Sequence, residues 1–267
     1  MKTFTNTVRQ DILKMIHNAK SGHPGGACSC VDILSVLYKK ILNVPIEWDK
    51  DPNFKNRDRF ILSKGHASPA LYAVLANCGY FSKDLLMGFR MLGSKLQGHP
   101  SSRVGLPGIE VSTGSLGQGL SIGVGIALAM RLDKINSKVF VLLGDGEMQE
   151  GSVWEALMNA NNQKLTNLVI IIDKNNLQID GKTDEVKTLE PLDKKLEAFG
   201  FEVLNVDGHN YEELEKVLAQ AKKSNKLTAI IANTVKGKGV SFMENNASWH
   251  GKAPNDAELK QALEELC

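Results

Sequence analysis

Residues Lys138 to Leu177 read KVFVLLGDGEMQEGSVWEALMNANNQKLTNLVIIIDKNNL. The apolar, β-branched runs Lys138–Leu143 and Leu168–Asp173 predict two buried strands, and the amphipathic stretch 151–163 between them predicts a helix. A strand, a helix and a strand in this order form a crossover unit, so the two strands are expected to be neighbours and parallel. Each strand runs into a polar turn: Gly144-Asp145-Gly146-Glu147 after the first, and Asp173-Lys174-Asn175-Asn176-Leu177 after the second. Ligands of parallel sheets bind outside the carboxyl ends of the strands, which makes this pair of turns the first place to look for chemistry. The glycines allow close backbone approach. Asp145 offers a carboxylate oxygen and Asn175 an amide oxygen, hard donors of the kind Mg²⁺ or Ca²⁺ takes. A helix opening near Gly151 adds amide donors suited to phosphate. Taken singly, each turn is equally an ordinary glycine or asparagine turn.

Outward from this segment the alternation continues. Helical spacing of apolar residues is read over 5–20, 31–42, Pro69–Asn77 and 116–132. A short strand, Arg59–Leu62, ends in Ser63-Lys64-Gly65-His66. Downstream come a helix over 191–199 with Pro191 at its first position, a strand Phe201–Val206, a helix Tyr211–Lys223, a strand Leu227–Thr234 and a last helix beginning near Asn255. Continuous apolar strands alternating with helices predict an α/β fold, a parallel sheet with helices on both faces. No repeat or linker interrupts it, so residues 1–267 are expected to form one domain.

The 267 residues are 42% hydrophobic and 23% charged, enough apolar material for a sizeable core. A formal charge of +2 and 6% aromatic residues argue against a nucleic-acid surface and against an anionic membrane as partner. The amino terminus lacks the apolar region of a signal peptide. The twenty uncharged residues 111–130 are long enough to cross a bilayer, yet five of them are glycine, and they read as a glycine-rich loop entering a helix. Cys28, Cys30, Cys78 and Cys267 have no metal or disulfide spacing and are expected to be idle thiols in a reducing cytoplasm.

Four of the six histidines, His23, His66, His99 and His250, stand beside glycine or proline in loops, where acid–base work near neutral pH is one reading and a structural role is the other. His17, in an amphipathic helix, and His209, in a turn, are read as structural. Glu147 and Glu150 open a helix, where negative charge is favourable whatever the function. The Lys236–Gly239 loop could neutralise phosphate but reads first as a solvated turn.

GDG followed at this interval by NN is the signature of thiamine-diphosphate enzymes, and the chain resembles one branch of them, the transketolases. The resemblance runs through Ser21-Gly22-His23-Pro24-Gly25-Gly26, Ser63-Lys64-Gly65-His66, Gly98-His99-Pro100, Thr113-Gly114-Ser115-Leu116-Gly117-Gln118-Gly119, Gly144 to Gly151, Lys174 to Gly181, Val206-Asp207-Gly208-His209 and Trp249-His250-Gly251. It implies that Asp145, Asn175 and the Leu177 carbonyl bind a divalent metal, and that Gly146 touches the diphosphate with Glu147 beside it. Gly114, Ser115 and Leu116 would line the cofactor near its aminopyrimidine, and Ile179 would lie against the thiazolium. His66 and His250 would contact the diphosphate side. His23, His99 and His250 would face the sugar and shuttle protons, and Glu150 would join a carboxylate network across a subunit interface. Ser115 and Lys64 depart from the commoner pattern at two positions, without removing a metal ligand or a loop histidine.

The resemblance covers only the amino-terminal, diphosphate-binding part of a transketolase. The glutamate that activates the cofactor, and the aromatic bed for its pyrimidine, belong in the family to a second domain. The chain is therefore expected to be the α-type half of a split transketolase that works on sugar phosphates with a separate pyrimidine-domain subunit, in an α₂β₂ assembly. The alternatives are a non-catalytic scaffold of the same fold and half of a 1-deoxyxylulose-phosphate synthase-like enzyme.

Overall fold

The computed structural model describes residues 1–50 and 54–267. Its sheet has five parallel strands: β1 (Arg59–Leu62), β2 (Val139–Gly144), β3 (Leu168–Lys174), β6 (Glu202–Asp207) and β7 (Thr228–Asn233), in the order β1-β2-β3-β7-β6. Within β2 the period of two is visible in the packing. Phe140 and Leu142 enter one core with helices α1 (Lys2–Ala19), α3 (Val31–Val36), α4 (Ser68–Asn77) and α9 (Tyr211–Lys223). Val139, Val141 and Leu143 enter the other, with α5 (Gln118–Leu132), α6 (Gly151–Asn162) and α8 (Leu192–Ala198). Both faces of the sheet are thus covered, as the sequence predicts.

The crossover β2–α6–β3 runs on one face, and β6–α9–β7 returns on the other. Between β3 and β7 the connections therefore diverge to opposite sides and leave a crevice at the carboxyl ends of the strands. Register levels those ends: Gly144 pairs with Asp173, and Lys174 with Asn233.

Several local readings change. Residues Pro24–Ser29, between the helices expected over 5–20 and 31–42, form a short buried helix, α2, that starts directly after His23. The helix expected over 31–42 narrows to α3 followed by a widened turn, Leu37–Ile41. Pro191 sits in extended conformation just ahead of α8 and is not its first helical residue. The polar loop after β3 contains a small antiparallel hairpin, β4 (Leu177–Gln178) with β5 (Gly181–Lys182), then a single-turn α7 (Thr183–Lys187). The last helix, α10 (Asp256–Glu265), begins after Asn255, which closes a capping box with Glu258. Among the described residues no helix is long and apolar enough to cross a membrane. The uncharged stretch 111–130 divides into a loop and α5.

Candidate active site

The two turns read first in the sequence lie side by side. Asp145, nearly sealed from solvent, accepts the Gly146 amide through Oδ1 at 2.8 Å and the Asn176 amide through Oδ2 at 2.5 Å, so its carboxylate bridges the turns after β2 and β3. Asn175 is buried beside it, and its Oδ1 accepts the Leu177 amide at 3.2 Å. Burial, then the neighbouring Asp173 charge, push the Asp145 carboxyl up to about 6. A buried carboxylate disfavoured in this way gains from a nearby cation. No three His, Cys, Asp or Glu side chains converge on a metal position among the described residues. A cation here would use one carboxylate, one amide oxygen and the Leu177 carbonyl, a hard all-oxygen set that suits Mg²⁺ or Ca²⁺.

Glu147 faces inward from the same turn. Its Oε1 accepts from Ser63 Oγ at 2.5 Å and from the Gly117 amide at 2.9 Å, and its Oε2 accepts the Gly144 amide at 3.0 Å. Burial raises its carboxyl against the pull of those donors. The side chain thus buckles three loops together at the floor of the cleft, a connection that proximity to a helix start gives no hint of. Gly117 stands at φ +82°, a backbone conformation suited to glycine, and a Cβ there would strike Ser152 Oγ at 2.6 Å. Beyond it, Leu116 lines the cleft, Ser115 is exposed and Gly114 packs against the His99 ring.

The four loop histidines come together. His23 lies 5.4 Å from His66 and 5.4 Å from His250 between ring centroids, and 6.4 Å from His99, while His66 and His250 are 5.4 Å apart. Burial is the main reason that all four rings favour the neutral form. His23 falls to about 4 with Arg90 and His99 as further causes, His250 falls to about 3 with Lys236 next, His66 lies well below its ordinary value with Lys64 next, and His99 is lowered with Arg90 next. At neutral pH the cluster therefore offers uncharged imidazoles that can donate and accept hydrogen bonds. The buried His23 Nδ1 has no partner among the described residues. His17 lies away from this cluster and pairs with Asp256 at 2.7 Å.

Three cations bordering the cleft were not singled out as site residues by the sequence. Lys236 is 2% exposed, which overturns its reading as part of a solvated turn. Its Nζ reaches the Leu177 carbonyl at 3.2 Å and His250 Nδ1 at 3.0 Å, and burial lowers it to about 8. Lys64 lies fully buried against Asp173. Arg90 donates to Ser21 Oγ at 2.5 Å, and its buried Nε has no partner among the described residues. At the rim, Glu150 and Ile179 are exposed, the latter at 67%. The cleft they border has a cavity volume of about 210 Å³ and opens to solvent.

The family model of the transketolase thiamine diphosphate binding domain matches residues 1–267. An apulose-4-phosphate transketolase subunit of Phocaeicola vulgatus is 44% identical over 259 residues, 97% of this chain and 90% of that protein. A 6-deoxy-6-sulfo-D-fructose transketolase subunit of a Clostridium species is 41% identical over 98% of this chain and 94% of its own length. The crystal structure of Campylobacter jejuni transketolase superposes with a TM-score of 0.91 at 41% identity, covering 99% of this chain and 42% of that one. With a family model spanning every residue, relatives matched nearly end to end and the paired turns of that domain set at one sheet end, the chain belongs to the transketolase family, of which it carries the thiamine diphosphate binding domain.

Proposed function

We propose that residues 1–267 form a single diphosphate-binding domain that serves as the amino-terminal subunit of a two-subunit transketolase, completed by a separate subunit that binds the cofactor's pyrimidine. The observation that carries this reading is that Asp145, Asn175 and Leu177 line one cleft with His66 and His250, against which His23 and then His99 are clustered. The relatives that are themselves transketolase subunits, matched over nine-tenths or more of their own length, support the split arrangement, and an α₂β₂ assembly follows the preference of oligomers for closed symmetry.

In this reading Asp145, Asn175 and the Leu177 carbonyl hold a divalent cation, while Gly146, His66 and Lys236 meet the diphosphate. Gly114, Ser115, Leu116 and Ile179 lie along the rest of the cofactor. When bound, thiamine diphosphate supplies the electron sink that lets a ketose phosphate be cleaved next to its carbonyl and a two-carbon ketol unit pass to an aldose. The chain's own part is to orient and to manage protons. His23 and His99, neutral because they are desolvated beside Arg90, can hydrogen-bond a sugar hydroxyl and take its proton as charge develops, and His250, whose Nδ1 accepts from Lys236, can donate to the sugar. Glu150 would join a carboxylate network with another subunit, a role that its exposure at the rim supports.

The test mixes the purified chain with a candidate pyrimidine-domain subunit and assays ketol transfer, with Mg²⁺ and thiamine diphosphate supplied. Activity only in the mixture, abolished by Asp145→Ala, is expected. Full activity from the chain without a partner would sink the proposal, as would an Asp145→Ala mixture with unchanged cofactor affinity.

A further inference from the structure

We propose that His209, outside the cleft, is a positioning residue that fixes the protonation pattern of His250 through the Val235–Lys236 backbone. The argument begins in the core. Arg9 on α1 donates through Nη2 to Asp32 Oδ2 at 2.7 Å, and both side chains are buried. His209, in the turn after β6, sets its Nδ1 2.6 Å from the same Asp32 oxygen. On the other side of the ring, the Val235 amide donates to His209 Nε2 at 2.8 Å. A backbone amide can only donate, so Nε2 must be bare, and the ring's single proton sits on Nδ1, facing the carboxylate. A doubly protonated ring would press one N–H against another. Burial works against the Asp32 charge, but the bonds from His209 and Arg9 prevail and hold it below the ordinary carboxylate range, which keeps an acceptor in front of Nδ1.

Val235 is the residue before Lys236, and the loop is pinned on both sides of it. Thr234 donates its amide to the Lys174 carbonyl at 3.0 Å, and the Gly237 amide donates to Gly25 at 3.0 Å. Between these anchors the His209 bond fixes the plane of the Thr234–Val235 peptide, one residue ahead of Lys236. The Lys236 side chain then runs into the cleft to His250 Nδ1 at 3.0 Å. An ammonium has donors and no acceptor, so His250 Nδ1 must accept and the His250 proton sits on Nε2. Two tautomers are thus linked: Asp32 sets that of His209, and the loop His209 holds sets that of His250. Placing a defined donor toward the substrate is the kind of preorganisation that lowers the cost of reaction.

The functional meaning rests on the cofactor-site reading above. The experiment reads ring nitrogens instead of turnover, so failed positioning and failed ketol transfer are distinguishable. The chain is labelled with nitrogen-15 histidine, and long-range proton–nitrogen correlation at neutral pH identifies which nitrogen of each ring carries the proton, with His250→Gln assigning the signals. In the wild-type chain the proton is expected on Nδ1 of His209 and on Nε2 of His250. His209→Phe is expected to lose the single His250 pattern to a mixture of tautomers. His209→Gln, whose side-chain oxygen can accept the Val235 amide, is expected to keep it. A wild-type His209 protonated on Nε2 overturns the proposal, and so does a His209→Phe chain that is folded by circular dichroism yet leaves His250 unchanged. If His209→Phe does not fold, the wild-type tautomers and the Gln variant decide, and loss of the His250 pattern in a folded Gln variant also overturns it.

Discussion

The Lys64 ammonium donates into the Asp173 carboxylate at the end of β3, with the two side chains 1% and 0% exposed. Asp173 also accepts from Ser29 Oγ at 2.6 Å and from Thr234 Oγ1, so one carboxylate ties α2, β3 and the loop after β7 together beneath the cleft. Burial lowers the lysine and raises the aspartate, yet their mutual attraction wins on both sides. Breaking a buried pair by removing one partner leaves an uncompensated charge and costs about 3–5 kcal/mol. Lys64→Met is therefore expected to lose about that much stability in urea unfolding. Lys64→Met combined with Asp173→Asn should lose less than the sum of the single changes, because the stranded charge is gone. A Lys64→Met cost below about 1 kcal/mol would show that the pair carries no such weight.

That pair also marks where the sequence stops being informative. The strands and the meeting of the two turns were readable, because a run such as Leu-Val-Ile-Ile-Ile and the crossover rule are local facts that fix register within a βαβ unit. Lys64 and Lys236 were not readable, because a lysine beside glycine looks solvated until a carboxylate or carbonyl distant in sequence comes to meet it. Glu147 was legible as a charge near a helix start, but its bonds to Ser63 and Gly117 depend on loops that meet only in the folded sheet. Clustered loop histidines could be suspected from their neighbours. That His23, His66, His99 and His250 form one cluster while His17 and His209 lie elsewhere depends on tertiary structure.

The same cluster sets a pH dependence. His23 titrates near 4 and His250 near 3 in the folded chain, mainly through burial, against 6.5 for the free side chain. Between these values the unfolded chain binds more protons than the folded one. Stability from these groups is accordingly full above pH 6.5 and is lost progressively as pH falls toward 4. Asp145, raised to about 6, acts with the opposite sign, since its folded form takes up a proton first as pH falls from there. Comparison with a His23→Asn, His250→Asn variant isolates the histidine part. Its urea midpoint is expected to fall less than that of the parent chain between pH 7.5 and pH 5. Equal falls would place the acid sensitivity elsewhere.

Two glycines on α5 make opposite predictions from one helix. The run from Gln118 to Leu132 suggests that Gly123 and Gly125 both let this helix pack closely. Only Gly123 does so. A Cβ there would lie 2.6 Å from Val141 Cγ2, so Gly123→Ala forces α5 off β2 or Val141 out of its place. Overpacking of that kind costs about 1–3 kcal/mol. Gly125 faces open space: a Cβ at that position would meet nothing within 4 Å among the described residues, and its φ lies outside the left-handed region. There alanine meets no steric cost and spares the helix the entropy of a flexible residue, a gain of about 0.5–1 kcal/mol. Thermal unfolding of the two single variants is expected to move the midpoint down for Gly123→Ala and up for Gly125→Ala. A lowered midpoint for Gly125→Ala would mean that this exposed position is covered in solution, and the concentration dependence of that midpoint would then reveal whether a second chain covers it.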